Sequence, residues 1–251
     1  MFDESQLSGH LKDLAGQSFH RQIYTYTNFL GEGEQRVMKT LEKDLAYTGI
    51  TLFGGIEHAE RCIVRFGRPE DLGYEEPFPV TCIKVEPVSQ KYSESLTHRD
   101  YLGALLGLGV ERDLIGDIYQ DGLSAYVFCM EHIAGYFVQN LRQVKHTNVS
   151  VTVAESIPES IGPHLEERQI VAASERLDAV IAKIHHLSRS QSLSLFAGDK
   201  VFVNGRQCQT GSYVCKCGDQ VSVRGYGKFL YQGMDRVTGK GRYRIRVQIY
   251  R

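Results

Sequence analysis

Two stretches near the C-terminal end set cations at helix starts. Arg176 precedes Leu177-Asp178 and Arg189 follows Ser188, with Lys200, Asn204-Gly205, Arg224 and Lys228 further along. The chemistry on offer is anion binding. A guanidinium on the first turn of a helix, with the free backbone N–H groups beside it, can hold one phosphate. The Ser188 hydroxyl can cap that helix, and Gln191 three residues on completes a capping box that sets Arg189 on the first turn. Asp178 is expected to hold Arg176 or to cap its helix rather than to meet an acidic ligand.

The elements that must position these residues follow from local pattern. Leu177, Val180, Ile181 and Ile184 recur on one helical face. In the second helix Leu193 and Phe196 are expected to face inward, with Gly198 ending it in a left-handed conformation. Val201 and Val203 read as a strand, Asn204-Gly205 as a type I′ hairpin turn, and Val221 to Arg224 as the returning strand. In the last strand Arg242, Arg244, Arg246, Gln248 and Tyr250 alternate with Tyr243, Ile245, Val247 and Ile249, so one face is basic and the other apolar. Pairing with Lys228-Phe229-Leu230-Tyr231 through the Thr238 to Gly241 turn is expected. For any single Arg a phosphate contact and the protection of an exposed sheet edge are equal readings, and the row as a whole favours RNA.

Charge is unevenly spread. Residues 171–251 hold 14 Lys and Arg against 5 Asp and Glu, although the whole chain has a net charge of −1. Such asymmetry points to a polyanion-binding module on an acidic body. The length of 251 residues allows one large domain or two to three small ones, and 42% hydrophobic residues is ordinary for a globular chain. No apolar run approaches the roughly 20 residues of a membrane span, and Asp3 and Glu4 do not suit a secretory signal, so a cytoplasmic location is expected. The six cysteines fit reduced thiols. Cys215 and Cys217 are expected to share a strand face as packing residues, and no metal site or cofactor is expected.

In the acidic part, Phe19 to Leu30 reads as a helix broken by Gly31-Glu32-Gly33. Glu34 to Tyr47 reads as a second helix, with Val37, Met38, Leu41 and Leu45 inward. Ile50 to Phe53 and Arg61 to Phe66 read as paired strands around Gly54-Gly55, and Arg68 to Pro79 as a connection. Strands at Val80 to Val85, Ala125 to Met130 and Val149 to Val153, with a helix from Ile133 to Val144, suggest an α/β sandwich like that of RNA-recognition motifs, without their aromatic stacking signature. Thr97 and Asp100 form a capping box. His98-Arg99-Asp100 reproduces three letters of a kinase catalytic loop, but no glycine-rich loop, strand lysine or Asp-Phe-Gly accompanies it. Gly107-Leu108-Gly109 lacks the rest of a dinucleotide fingerprint. Both are read as helix boundaries, and Asp113 and Asp117 as caps.

The ordered series from Arg176 to Gly225 resembles an S4 RNA-binding domain. That resemblance implies an RNA-facing surface of Arg176, Ser188, Arg189, Lys200, Asn204, Arg224 and Lys228. Together with the Gly54-Gly55 turn, Ala59-Glu60-Arg61 and the Thr97 to Asp117 run, the whole chain resembles the YlmH family of bacterial S4 proteins. The resemblance implies an α+β fold in three domains: residues 1–78, an RRM-like domain at 79–165, and an S4 domain of two helices and a small sheet at 166–251. It also implies association with the large ribosomal subunit and tRNA in quality control of stalled translation. His98, Arg99 and Arg112 become candidate contacts of the middle domain, with helix packing as their other reading. The expectation is a non-catalytic binder of structured rRNA and tRNA, without DNA or membrane partners. The alternative is an S4-containing RNA-modifying enzyme of pseudouridine synthase or methyltransferase type, for which neither a catalytic Asp pocket nor a cofactor loop is visible.

Overall fold

The computed structural model describes residues 3–89, 94–163, 165–239 and 241–250, and the chain divides into two units, Met1–Gly162 and Pro163–Arg251. The first unit opens with α1 (Glu4–Arg21), where the Asp3 carboxylate accepts from the Ser5 and Gln6 N–H groups. Leu7, Leu11, Leu14 and Ala15 form its inner face, against Val37, Met38 and Leu45 of α2 (Glu32–Leu45). The helix expected from Phe19 to Leu30 is not formed. The chain leaves α1 at Gln22 with φ 54° and enters strand β1 (Thr25–Tyr26), since Ile23-Tyr24-Thr25-Tyr26 is a β-branched and aromatic run. Gly31 starts α2 rather than breaking a helix, its N–H donating to Glu34 Oε2 at 2.7 Å.

Strands β2 (Ile50–Phe53) and β3 (Ile63–Phe66) pair antiparallel in a sheet of order β1-β3-β2. The turn leaving β2 requires glycine. Gly55 has φ 101°, and a Cβ there would lie 2.2 Å from the Phe128 ring. A single helical turn, α3 (Pro69–Leu72), sits within the expected connection.

Next come β4 (Val80–Pro87), α4 (His98–Leu106), β5 (Ile115–Asp121), β6 (Ser124–Met130), α5 (Glu131–Asn140), β7 (Gln143–Val144) and β8 (Thr147–Val153). The sheet is antiparallel in order β5-β6-β4-β8-β7, and its β-α-β-β-α-β succession is the ferredoxin-like arrangement. Strand β5 was not expected, Asp117 within it being read only as a cap, and α5 ends before Val144 because Leu141 turns extended into the β7–β8 hairpin. Ile83, Val85, Val127 and Cys129 face Tyr101, Leu105, Ala134 and Phe137. Cys82, Tyr126, Phe128 and Met130 meet Phe29, Ile63 and Ile161 on the other side.

The second unit contains β9 (Leu165–Ala172), α6 (Leu177–Ile184), α7 (Arg189–Ala197), β10 (Val201–Val203), β11 (Arg206–Gln207), β12 (Gln220–Val223), β13 (Gly227–Val237) and β14 (Tyr243–Tyr250). Its antiparallel sheet runs β11-β10-β12-β13-β14-β9. Val201, Val203, Val221, Phe229, Tyr231, Ile245 and Val247 form a core with Leu177, Val180, Ile181, Leu195 and Phe196. Leu193 points outward instead, because Ser192, Leu195 and Phe196 take the buried face of α7. Gly198 has φ −92°, and the left-handed residue is Asp199 at φ 54°.

Asn204 and Gly205 have φ 49° and 71°, as a type I′ turn needs, but the strand they return is β11, while β12 pairs on the other side of β10. Strand β14 pairs with Phe229 to Tyr231 as expected, yet β9 covers its other side, so it is an interior strand. Arg242 precedes it, and its N–H donates to Thr238 Oγ1. Cys215 is buried and Cys217 exposed; the two lie outside strands and share no face. The expected α+β class is what both units show. Among the described residues no helix is long and apolar enough to cross a membrane.

Candidate nucleic-acid interface

The start of the helix pair is organised around Asp178, which is fully buried. Its carboxylate accepts from Arg176 Nε at 3.1 Å and Nη2 at 3.0 Å, and from the Ala179 N–H at 2.9 Å. Arg189 Nε lies 3.6 Å from the same Oδ2. Burial pushes the Asp178 pKa up, but the Arg176 hydrogen bonds and charge, the Ala179 N–H and Arg189 outweigh it, and the carboxyl stays below its usual range. Gly211 closes over this carboxylate, since a Cβ there would come within 2.9 Å of Asp178 Cβ. Two guanidiniums are thus anchored on one buried anion while 40% and 69% of their side-chain surfaces stay exposed. Ser188 Oγ accepts from Gln191 N–H at 3.2 Å and Gln191 Oε1 from Ser188 N–H, the expected capping box. The N–H groups of Arg189 and Ser190 remain outside the intrahelical ladder. Arg189, loosely tethered, is the cation best able to meet a phosphate here.

A second group sits at the β10–β12–β13 end of the sheet. Arg224 is exposed, with its guanidinium 4.5 Å above the Phe202 ring, and its N–H donates to the carbonyl of exposed Lys200. Lys228 pairs with Ser222 across β12 and β13. Asn204 is engaged internally: Nδ2 donates to Asp219 Oδ1 at 2.7 Å, and Oδ1 accepts from Gln220 N–H at 3.0 Å. Asp219 also accepts from Tyr213 Oη and Lys216 N–H, so Asn204 belongs to a network that fixes the hairpin.

The outer face of β14 carries Arg244 and Arg246, while Ile245, Val247 and Ile249 point into the core. Arg246 borders a hollow shared with Gln248, Gln232, Gln169 and Glu167. Gln232 donates to Gln248 at 2.7 Å and Gln248 to Glu167 at 3.4 Å, a polar ladder across three strands. The helix-start pair and the strand pair therefore lie on different sides of the core, because β14 turns its apolar side toward α6 and α7.

In the first unit His98 and Arg99 are exposed at the start of α4. The Thr97–Asp100 box forms, and Lys145 Nζ lies 2.9 Å from Asp100. The Lys145 hydrogen bond, followed by those of Thr97, lowers the Asp100 pKa to about 2. Arg112 is directed inward, to the carbonyls of Ile115 and Gly116, and burial followed by the Arg61 charge lowers its pKa to about 10. Asp117 is no cap. It is buried on β5 and accepts from the Glu60 and Arg61 N–H groups at 2.6 and 3.2 Å and from Tyr119 Oη at 3.1 Å. Arg61 reciprocates by donating to the carbonyls of Ile115 and Phe29. Asp113 accepts from Asn28 Nδ2 at 2.9 Å. Both acids thus join the N-terminal segment to β5 and its approach, a role that local sequence does not signal.

Sequence reading also missed Tyr226. It sits in the Gly225-Tyr226-Gly227 tip between Arg224 and Lys228, and nothing in its local pattern marks it as more than a loop residue.

Comparison with known proteins agrees with the resemblance. Residues 74–157 match the family described as "Putative RNA-binding domain in YlmH". The "Ribosome-associated protein quality control protein P2" of Bacillus subtilis (strain 168) is 27% identical over 227 residues, covering 87% of this chain and 84% of that protein. The solved structure titled "Cell division protein ylmH from Streptococcus pneumoniae" aligns with a TM-score of 0.51 at 20% identity. It covers 64% of this chain and 98% of that one, and is a likeness of fold. The similarity to the YlmH family read from the sequence is thereby borne out.

Proposed function

We propose that the chain is a non-catalytic, cytoplasmic RNA-binding protein that grips structured rRNA and tRNA on the large ribosomal subunit, in quality control of stalled translation. Residues 166–251 serve as its S4-type grip and residues 79–165 as a further RNA-binding domain behind the N-terminal residues 1–78. The observation that carries this reading is the Asp178 cluster, a buried carboxylate that holds Arg176 at the start of α6 and draws Arg189 at the start of α7 toward it, with their outer surfaces open. Such a pair, Arg176 hydrogen-bonded in place and Arg189 loosely tethered beside it, recognises phosphate by position rather than by base sequence. Arg224, Lys228, Arg244 and Arg246 add phosphate contacts on the sheet, and His98 and Arg99 are the accessible cations of the middle domain. The name of the Bacillus relative and the description of the matched family support RNA and the ribosome as partners.

The test is co-sedimentation with purified ribosomal subunits. The parent should travel with the large subunit, and Arg189→Ala should weaken binding by roughly 1–3 kcal/mol, the worth of a charge-assisted contact. A parent that stays at the top of the gradient refutes the ribosomal address. A variant indistinguishable from the parent refutes the helix-start grip.

A further inference from the structure

We propose that Tyr226 stacks an unpaired RNA base at the β12–β13 tip while Arg224 and Lys228 hold the phosphates on either side, an inference that rests on the RNA-binding reading above. The tip is built to present this ring. Val223 pairs with Gly227, and Tyr226 N–H closes the turn onto the Val223 carbonyl at 2.9 Å. Gly225 and Gly227 have φ 85° and 116°, yet a Cβ at either would meet nothing within 4 Å. The glycines therefore serve the backbone reversal rather than a close approach of another group.

Tyr226 is 46% exposed. Its inner side rests on His185, ring centroids 5.3 Å apart, and His185 in turn lies 6.5 Å from the core ring of Phe229. Burial, followed by the His186 charge, lowers the His185 pKa and keeps that backing ring neutral. The aromatic is thus held from behind and open in front, so little side-chain entropy is lost when a second flat ring covers it.

The flanking charge selects the occupant. Arg224 is itself oriented by Phe202, and Lys228 follows two residues after Tyr226. An aromatic face between cations is the arrangement that serves single-stranded nucleic acid, where every base offers a π-face and every link a phosphate. The excess of Lys and Arg in residues 171–251 favours a polyanion in the same way.

The test uses the full chain and two RNA probes: a short single strand containing 2-aminopurine, and the same strand annealed into a blunt duplex. Tyr226→Ala should bind the single strand about tenfold more weakly and abolish the quenching of 2-aminopurine, while duplex affinity stays within about twofold. Tyr226→Phe should behave as the parent, since the ring face and not the hydroxyl makes the contact. Undiminished single-strand binding by Tyr226→Ala overturns the stacking role and leaves the RNA-binding reading standing. Equal losses on both probes assign the residue to shaping the hairpin, which also overturns it. If the parent ignores both RNAs but binds poly-glutamate through Tyr226, the tip is a protein-docking site, and the stacking role and the RNA-binding reading fall together.

Discussion

Replacing Asp178 by Asn keeps the shape of the side chain and removes its charge. In the parent the carboxylate receives two hydrogen bonds from Arg176 and one from Ala179, with Arg189 at 3.6 Å. Breaking a fully buried ion pair costs about 3–5 kcal/mol because the stranded charge cannot reach water. Here the stranded charges can, since the Arg176 and Arg189 side chains are 40% and 69% exposed. The loss should shrink toward that of one charge-assisted hydrogen bond, about 1.5–3 kcal/mol. Its pH dependence has a definite sign. The folded pKa of Asp178 is lowered, so its contribution is fully present above the unfolded value near 3.9 and is lost as pH falls through the folded one. Native-state hydrogen exchange across α6 and α7 reads both quantities, with the parent's advantage constant from neutral pH down to about 4 and narrowing below it. Asp178→Asn combined with Arg176→Gln should cost less than the two single changes added together. A variant as protected as the parent at neutral pH, or an advantage that ignores pH, refutes the account of the cluster.

Two further outcomes follow from the geometry. Arg244→Gln with Arg246→Gln should flatten the salt dependence of RNA binding by about two units, at about 0.9 per phosphate neutralised, and Arg242→Gln should add less because Arg242 lies outside β14; an unchanged slope removes this face from the interface. Gly55→Ala should lower the urea midpoint of the first unit by the equivalent of at least about 2 kcal/mol, since it combines backbone strain with overpacking against Phe128; a parent-like midpoint would show that the ring does not cover the turn.

What was legible in the sequence was whatever nearest neighbours decide. The Ser188–Gln191 and Thr97–Asp100 boxes, the left-handed Asn204-Gly205 turn and the Leu177 to Ile184 face are each set within one or two turns of chain, and they form as read. Strands β5 and β9 were missed for physical reasons. In β5 the apolar pattern is interrupted by Gly116 and by Asp117, whose carboxylate takes its two backbone hydrogen bonds from residues more than fifty positions away. In β9 Glu166, Glu167, Arg168 and Gln169 hide a strand whose inward residues are Ile170 and Ala172. Missing β9 made β14 look like a sheet edge and left each of its arginines with two equal explanations. With β14 paired on both sides, blunting an edge no longer accounts for Arg244 and Arg246.

The absence of a visible aromatic signature in residues 79–165 has a structural counterpart in the β5-β6-β4-β8-β7 sheet. RNA-recognition motifs stack bases on aromatics of the two central strands. Here β6 does carry Tyr126 and Phe128 on the face away from the helices, but they are only 5% and 1% exposed. Phe29, Ile63 and Ile161 occupy the space a base would need, and the Asp117–Arg61 exchange holds the N-terminal segment in place over them. Uncovering that face would expose two aromatic rings and strand a buried carboxylate, so stacking there competes with the folding of the first unit itself. A base that this chain stacks must meet a ring that folding leaves open. Tyr226, backed by a neutral histidine and set between two cations, meets that requirement where Tyr126 and Phe128 do not.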